Sequence, residues 1–182
     1  MGETSKAHKR RLEEGWYEKY APAHMSGIDL GCQFDPLNHT FRRWDIRFGD
    51  SDATFMEGVD DNQFQTVYAS HLLEHLDDPV TAIKNWYRIL RPTGHLIICV
   101  PHRDLYEKKK NLPSHWNPQH KWFWLPDQKE LPVTQSLNDI AIQAIPNANI
   151  ISLKVLRDGW IPLPPNKHSQ GEYSIEIIIK KG

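Results

Sequence analysis

The chain has 182 residues, of which 39% are hydrophobic and 25% are charged. Its 22 Lys and Arg residues nearly balance its 23 Asp and Glu residues, and the net charge of −1 argues against a nucleic-acid binder with a broad basic surface. No apolar run is long enough to cross a membrane, and the first residues lack an apolar signal segment. We therefore expect a cytoplasmic protein with one main domain.

Residues 1–22 are predicted to form a helical N-terminal arm, with the helix over 5–20. Leu12, Trp16 and Tyr20 recur at a spacing of four, which places them on one stripe of that helix. Because the stripe is aromatic, we expect the arm to pack as a lid or outer helix on the main domain, 23–182.

The main domain shows short apolar strands alternating with helices. The run 95–100 is almost continuously apolar, as expected of a strand that is buried on both faces of a parallel sheet. The cap Asp78 and the following Pro79 mark the start of a helix. The pattern predicts an α/β fold, a doubly wound and mainly parallel sheet. The predicted elements are strands at 27–31, 40–46, 64–69, 95–100, 150–156 and 173–179, and helices from 79 and over 134–145.

The first crossover is predicted to be shortened. Only about nine residues separate Gly31 from Phe41, whereas a full crossover helix needs a connection of about 10–12 residues or more. Asp35 and Pro36 lie in this connection, so we expect at most one helical turn there.

Polar and small residues follow the predicted parallel strands. Asp29 and Gly31 end the first strand, Asp45 the second, and Ser70 and His71 the third. Ligands of open parallel sheets bind at the carboxyl ends of the strands. A carboxylate at the end of the second strand suits the hydroxyls of a ribose.

The sequence resembles the class I S-adenosylmethionine-dependent methyltransferases over residues 26–124. The resemblance lies in IDLGC, WDI, GDSDATF and FQTVYASHLLEHLDDPVTAIKNWYRILRPTGHLIICVPHRDLYE. It is closest to the small bacterial and phage members of the methyltransferase-domain type. It implies a Rossmann-like methyltransferase fold and S-adenosylmethionine as the cofactor.

The resemblance also implies a role for each strand-end residue toward that cofactor. Asp29 and Gly31 would line its methionine end, and Asp45 would hold the ribose hydroxyls. Asp52, with Ala53, would meet the adenine amino group. Ser70 and His71 would border the sulfonium and the acceptor.

The chain departs from the pattern of this family at three positions. Gln33 stands where the family has a second glycine, Gln65 where it commonly has Asp, and Thr93 where it commonly has Gly. A side chain at position 33 would occupy space where the backbone normally approaches a ligand. A non-catalytic binding protein on the same fold is therefore the alternative hypothesis.

His71, Glu74 and His75 also form an H-x-x-E-H string, which suggests a zinc hydrolase as a second alternative. Only a few residues separate the third strand from the cap at Asp78, too few for a metal-bearing helix of several turns. We accordingly predict no metal ligands.

The segment 101–132 is predicted to be an insert that forms the acceptor site. It is irregular and rich in His, Trp and Pro, and it follows the apolar strand that ends near position 100. An imidazole can take a proton from an attacking hydroxyl, and aromatic side chains suit a sugar ring. We predict His71 and His120 as catalytic residues, and a hydroxyl of a small molecule or glycan as the acceptor.

Overall fold

Residues 2–182, which the computed structural model describes, form eight strands and five α-helices. The strands are β1 (Gly27–Leu30), β2 (Arg42–Trp44), β3 (Phe64–Ser70), β4 (Leu90–Pro101), β5 (Phe123–Leu125), β6 (Thr134–Ser136), β7 (Asn149–Val155) and β8 (Ser174–Lys180). The helices are α1 (Glu3–Lys6), α2 (His8–Glu13), α3 (Trp16–Tyr20), α4 (Pro79–Arg88) and α5 (Leu137–Ala144).

Six of these strands form the central sheet, in the order β2-β1-β3-β4-β8-β7. The four strands from β2 to β4 are parallel to one another. β8 is inserted between β4 and β7 and runs antiparallel to both. Strands β5 and β6 pair separately. The predicted mainly parallel α/β sheet is confirmed.

Helices cover both faces of the sheet. On one face, Ile83 and Trp86 of α4 and Leu137 of α5 are fully buried against the strands. On the other face, Trp16 of α3 packs with Tyr68 of β3, their ring centroids 6.4 Å apart. This arrangement confirms the doubly wound fold.

The N-terminal segment forms three short helices rather than the single helix expected over 5–20. Gly15 interrupts the segment in a left-handed conformation, with φ +62°. Arg11 is buried beneath it, with its guanidinium 4.4 Å from the Trp16 ring centroid and 3.4 Å from Oε2 of Glu176 in β8. This buried ion pair holds the segment on the sheet.

The connection between β1 and β2 contains no helical turn among the described residues, so the turn expected at Asp35-Pro36 is absent. The connection is instead anchored by the backbone N–H of Leu37, which donates to Oδ2 of Asp29 over 2.7 Å. The shortened crossover is thus a loop tied to the first strand.

Several boundaries differ from those expected. β4 starts at Leu90 rather than 95, because Leu90 already pairs with Phe64 of β3; the pairing then shifts register, with Thr93 at φ +66°, and resumes at His95. The helix expected over 134–145 starts only at Leu137, because 134–136 pairs with β5. No helix within residues 2–182 is long and apolar enough to cross a membrane.

Candidate functional site

A cavity of about 410 Å³ opens at the carboxyl ends of β1 and β3. Four predicted site residues, Asp29, Gly31, Ser70 and His71, line it. A larger depression of about 800 Å³ lies beside residues 34–39, but none of the predicted strand-end residues is in its lining. We therefore place the candidate site in the smaller cavity.

Gly31 forms the turn at which β1 leaves the sheet. Its φ is +68°, and a Cβ at this position would come within 2.9 Å of Cδ1 of Leu72. The conformation and the close contact both require glycine. The missing side chain leaves backbone exposed to the cavity.

Asp29 is a buried carboxyl group beneath the same turn. Burial raises its pKa to about 7, although the hydrogen bond from Leu37 acts in the opposite direction. Asp29 accepts a hydrogen bond from Leu37 in the loop between β1 and β2. Its first role is therefore to hold this loop, which forms part of the cavity wall, in place.

Asp45 follows β2 and is buried; it is not in the cavity lining but contacts Gln33, which is. Its Oδ2 accepts the backbone N–H of Gln33 over 3.1 Å, and its Oδ1 accepts that of Arg47 over 2.9 Å. A carboxylate offers about four lone-pair sites, so acceptor capacity remains for hydroxyl groups. Gln33 itself is exposed and lies in the cavity wall, at φ +47°.

Asp52 and Ala53 are not brought to the cavity lining. Asp52 is exposed, and its Oδ1 accepts the N–H of Thr54 over 2.7 Å. Ala53 is buried, and its carbonyl accepts Nε1–H of Trp86 over 2.8 Å. Their turn stays close to Asp45 because the Asp45 N–H donates to Oδ2 of Asp50 over 2.9 Å.

Sequence reasoning missed a set of exposed apolar side chains near Asp45. Phe34 is 78% exposed and Ile46 is 73% exposed. The Phe34 ring packs edge-on against Phe48 at 5.8 Å. Exposed apolar groups beside a polar cavity offer a surface for a flat, partly apolar ligand.

His71 lies at the inner end of the cavity, directly after β3. Its Nε2 is 2.8 Å from Oγ of Ser174, and its Nδ1 is 3.7 Å from Oε1 of Glu74. Burial lowers the pKa of this imidazole to about 4, against the opposing effect of Glu3. The ring is therefore neutral at neutral pH.

His120 lies behind this position rather than in the lining of the cavity. Its Nδ1 is 2.6 Å from Oε1 of Glu107, and its Nε2 is 3.8 Å from Oε1 of Glu74. The two predicted catalytic histidines thus both lie near the same oxygen, Oε1 of Glu74.

Glu74 and Glu107 are both fully buried, and sequence reasoning missed Glu107. Neither carboxyl oxygen of Glu74 has a hydrogen-bond partner within residues 2–182. Burial, together with the nearby Glu107, raises the pKa of Glu74 well above its ordinary value.

The H-x-x-E-H string does not place its two histidines on one helical face. Only Leu73–His75 is helical, as one 3-10 turn, and His71 precedes it at φ +53°. The geometry assumed for the zinc-hydrolase alternative is therefore absent.

The segment 101–132 packs an aromatic cluster against His71. Tyr106 lies in a one-turn π-helix, its ring centroid 4.8 Å from that of Tyr173 and 6.4 Å from that of His71. Nε1–H of Trp116 donates to the Tyr106 carbonyl over 2.9 Å. The segment thus borders the inner end of the cavity.

Helix α1 covers the outer side of the cavity, where Glu3 and Thr4 join the lining. The hydroxyl of Tyr173 donates to Glu3, and the N–H of Ser5 donates to Oδ2 of Asp35 over 3.0 Å. These two contacts hold helix α1 in place over the cavity.

The residues present fit the S-adenosylmethionine that the sequence resemblance implies. The glycine turn at Gly31 leaves room for close approach of a ligand, and Asp45 retains acceptor capacity for hydroxyl groups. The volume lies within the range of small-molecule sites, about 300–1,000 Å³.

A sequence profile of the methyltransferase domain matches residues 14–98. The structure is similar to a methyltransferase described as a possible histamine N-methyltransferase from Thermotoga maritima, with a TM-score of 0.58, 16% identity and 100% coverage of both chains. It is also similar to a SAM-dependent methyltransferase from Archaeoglobus fulgidus, with a TM-score of 0.59, 19% identity and coverage of 98% and 94% of the two chains.

The comparison with curated protein sequences found no match. At these identities the structural similarities show the fold alone, and the domain match covers just under half of the chain. Residues 14–98 match the methyltransferase-domain family, and the chain has the fold of solved S-adenosylmethionine-dependent methyltransferases, which implies S-adenosylmethionine as the cofactor.

Proposed function

We propose that the protein methylates a hydroxyl group of a small-molecule or glycan acceptor. S-adenosylmethionine, when bound, supplies a methyl group on a positively charged sulfur. The observation that carries the proposal is the position of His71, a neutral imidazole in the same cavity as the glycine turn and Asp29.

We assign the cofactor to the cavity at the ends of β1 and β3. The backbone at Gly31 and the side chain of Ser70 line its inner part. Asp45 would accept hydrogen bonds from the ribose hydroxyls. The turn at the exposed Asp52 and the buried Ala53 would receive the adenine amino group.

His71 would take the proton of the acceptor hydroxyl as the acceptor oxygen bonds to the methyl carbon and the bond between that carbon and sulfur breaks, leaving S-adenosylhomocysteine as a neutral thioether. Ser174 orients the imidazole through the 2.8 Å contact at Nε2, and Nδ1 faces Oε1 of Glu74 at 3.7 Å. Nε2 of His120 lies near the same oxygen, Oε1 of Glu74, as Nδ1 of His71, and His120 thereby helps to position His71 through Glu74. Alignment of the two reactants supplies most of the rate enhancement, since proximity and orientation can contribute about 7–11 kcal/mol.

The aromatic cluster around His71 supports a ring-shaped acceptor. Tyr106 and Tyr173 pack against the His71 ring, with ring centroids 6.4 Å and 6.0 Å from it, and the cavity lining reaches this cluster through His71. Aromatic side chains pack well on sugar rings and other flat molecules. The described residues that line the cavity include no lysine, so the lining offers no basic surface to an extended anionic polymer.

Transfer of an isotope-labelled methyl group tests the proposal. The protein is incubated with labelled cofactor and with panels of small-molecule hydroxyls, glycans, amines and thiols. We expect labelled methyl ethers, formed about 10²–10⁴-fold more slowly by His71→Ala, the range of general base catalysis. The matched control is His24→Ala, at an exposed histidine.

Two outcomes would contradict the proposal. Labelling of amines or thiols alone would exclude the hydroxyl acceptor. Cofactor binding without transfer to any acceptor would instead favour a non-catalytic binding protein.

A further inference from the structure

Three side chains with metal-ligand atoms meet behind the cofactor cavity. A carboxylate oxygen of Glu74 and one ring nitrogen each of His75 and His120 all lie within 4.8 Å of one another. Ligand atoms on one zinc ion, at about 2.0–2.2 Å from the metal, are at most about 4.4 Å apart. Small side-chain rotations would therefore bring all three onto one ion.

Glu74 is the most unusual member of this group. It is fully buried, and among residues 2–182 neither of its carboxyl oxygens has a hydrogen-bond partner. Buried polar groups are almost always paired, because an unpaired one loses its hydration without compensation. A cation between Glu74 and the two imidazoles would supply the missing partner.

His120 is already oriented as a metal ligand. Its Nδ1 is 2.6 Å from Oε1 of the buried Glu107, and its Nε2 faces Glu74 at 3.8 Å. A carboxylate that holds one ring nitrogen of a histidine typically fixes the tautomer and directs the other nitrogen to a metal. Glu107 thus has the position of such an outer carboxylate.

We propose that Glu74, His75 and His120 bind a divalent transition-metal ion. Two imidazoles and one carboxylate are ligands of zinc and other first-row metals, whereas magnesium and calcium prefer oxygen ligands only. His75 is partly exposed and gives the ion a route from solvent.

This metal site differs from the H-x-x-E-H hypothesis in its ligands. It uses Glu74 and His75 of that string but replaces His71 with the distant His120. His71 remains at the cavity, with Nε2 engaged by Ser174. Three protein ligands leave a coordination position for water or another oxygen donor.

The test uses Co²⁺, whose visible absorption reports coordination in nitrogen and oxygen sites. The full-length protein is dialysed against a chelator, titrated with Co²⁺, and then challenged with Zn²⁺. We expect binding of one equivalent and its displacement by Zn²⁺. Glu74→Gln and His120→Ala should each weaken binding at least tenfold, and Glu107→Gln should weaken it about 10–100-fold.

His115→Ala is the matched control, because His115 is an exposed histidine of the same segment. It should bind Co²⁺ like the wild type. Thermal unfolding gives a second readout: the chelator should lower the Tm of the wild type but leave the Tm of Glu74→Gln unchanged.

The proposal is wrong if the wild type shows no Co²⁺ absorption at millimolar metal. It is equally wrong if Glu74→Gln and His120→Ala bind as tightly as the wild type, or if His115→Ala loses binding to the same extent. These readouts need neither methyl donor nor acceptor, so they leave the proposed methyl transfer to its own test.

Discussion

The backbone N–H of Gln33 donates a hydrogen bond to Oδ2 of Asp45, and this contact joins the loop after β1 to the end of β2. Gln33 stands where related sequences have a second glycine. Because the bond uses the main chain, the substitution keeps the link between the two strands. Gln33 has a left-handed backbone conformation, with φ +47°, and glycine would adopt this conformation without the steric penalty of a Cβ.

Replacement of Gln33 by glycine tests this view of the loop. Gln33→Gly should bind S-adenosylhomocysteine at least as tightly as the wild type, because the bond to Asp45 remains. Gln33→Ala should unfold more easily than Gln33→Gly by about 1 kcal/mol, since a Cβ is unfavourable at positive φ. Calorimetry and urea unfolding measure the two effects. Weaker binding by Gln33→Gly would show that the glutamine side chain itself contacts the ligand.

Asp45→Asn should weaken S-adenosylhomocysteine binding at least tenfold. The amide keeps one acceptor oxygen and turns an NH₂ group toward the N–H of either Gln33 or Arg47. A lost hydrogen bond to a charged group corresponds to about 1.5–3 kcal/mol. Asp60→Asn, at an exposed loop carboxylate, is the control and should bind normally. Equal affinity for Asp45→Asn would remove Asp45 from the site.

Gly31→Ala should destabilise the fold more than Gly58→Ala does. Both glycines have positive φ, at +68° and +76°, but only the Cβ at Gly31 would collide with Leu72. We expect about 1–2 kcal/mol for the backbone conformation alone at Gly58, and a larger loss at Gly31. Urea unfolding of the two variants measures the difference. Equal losses would mean that the Leu72 contact relaxes freely.

The buried carboxyl of Asp29 should make the protein less stable as the pH rises. Its pKa is raised to about 7 in the folded state, from an ordinary value of 3.8, so the folded state holds a proton that the unfolded chain releases. This contribution to stability is complete below about pH 4 and is lost as the pH rises to about 7, on the order of 1 kcal/mol per pH unit.

Asp29→Asn isolates that contribution, because the amide oxygen can still accept the N–H of Leu37. The free energy of unfolding of the variant, relative to the wild type, should increase between about pH 4 and about pH 7. Urea unfolding at several pH values measures it. A constant difference between the two proteins would show that Asp29 is ionised in the folded state.

Local patterns were sufficient to predict the sheet and part of the site. The apolar run that ends β4 and the cap at Asp78 lie within single elements, and the structure retains both. Asp29, Gly31, Ser70 and His71 lie at or directly after the carboxyl ends of parallel strands, so their convergence follows from the topology. The insertion of β8 between β4 and β7 depends on long-range pairing, which no local pattern shows.

The cluster around Glu74 could not be predicted from spacing. His120 lies 45 positions after His75 and in an irregular segment. Glu107 precedes three lysines and therefore looks like a surface residue, yet it is fully buried. Only the folded chain brings these groups together, because their contacts are long-range in sequence.

An NMR-monitored titration with S-adenosylhomocysteine tests most directly whether the cavity at the ends of β1 and β3 binds the cofactor. We expect the backbone amide signals of Gly31, Gln33 and Ser70 to shift together and to saturate at one equivalent. No shifts at millimolar ligand, or shifts confined to the depression beside residues 34–39, would contradict the assignment of the site.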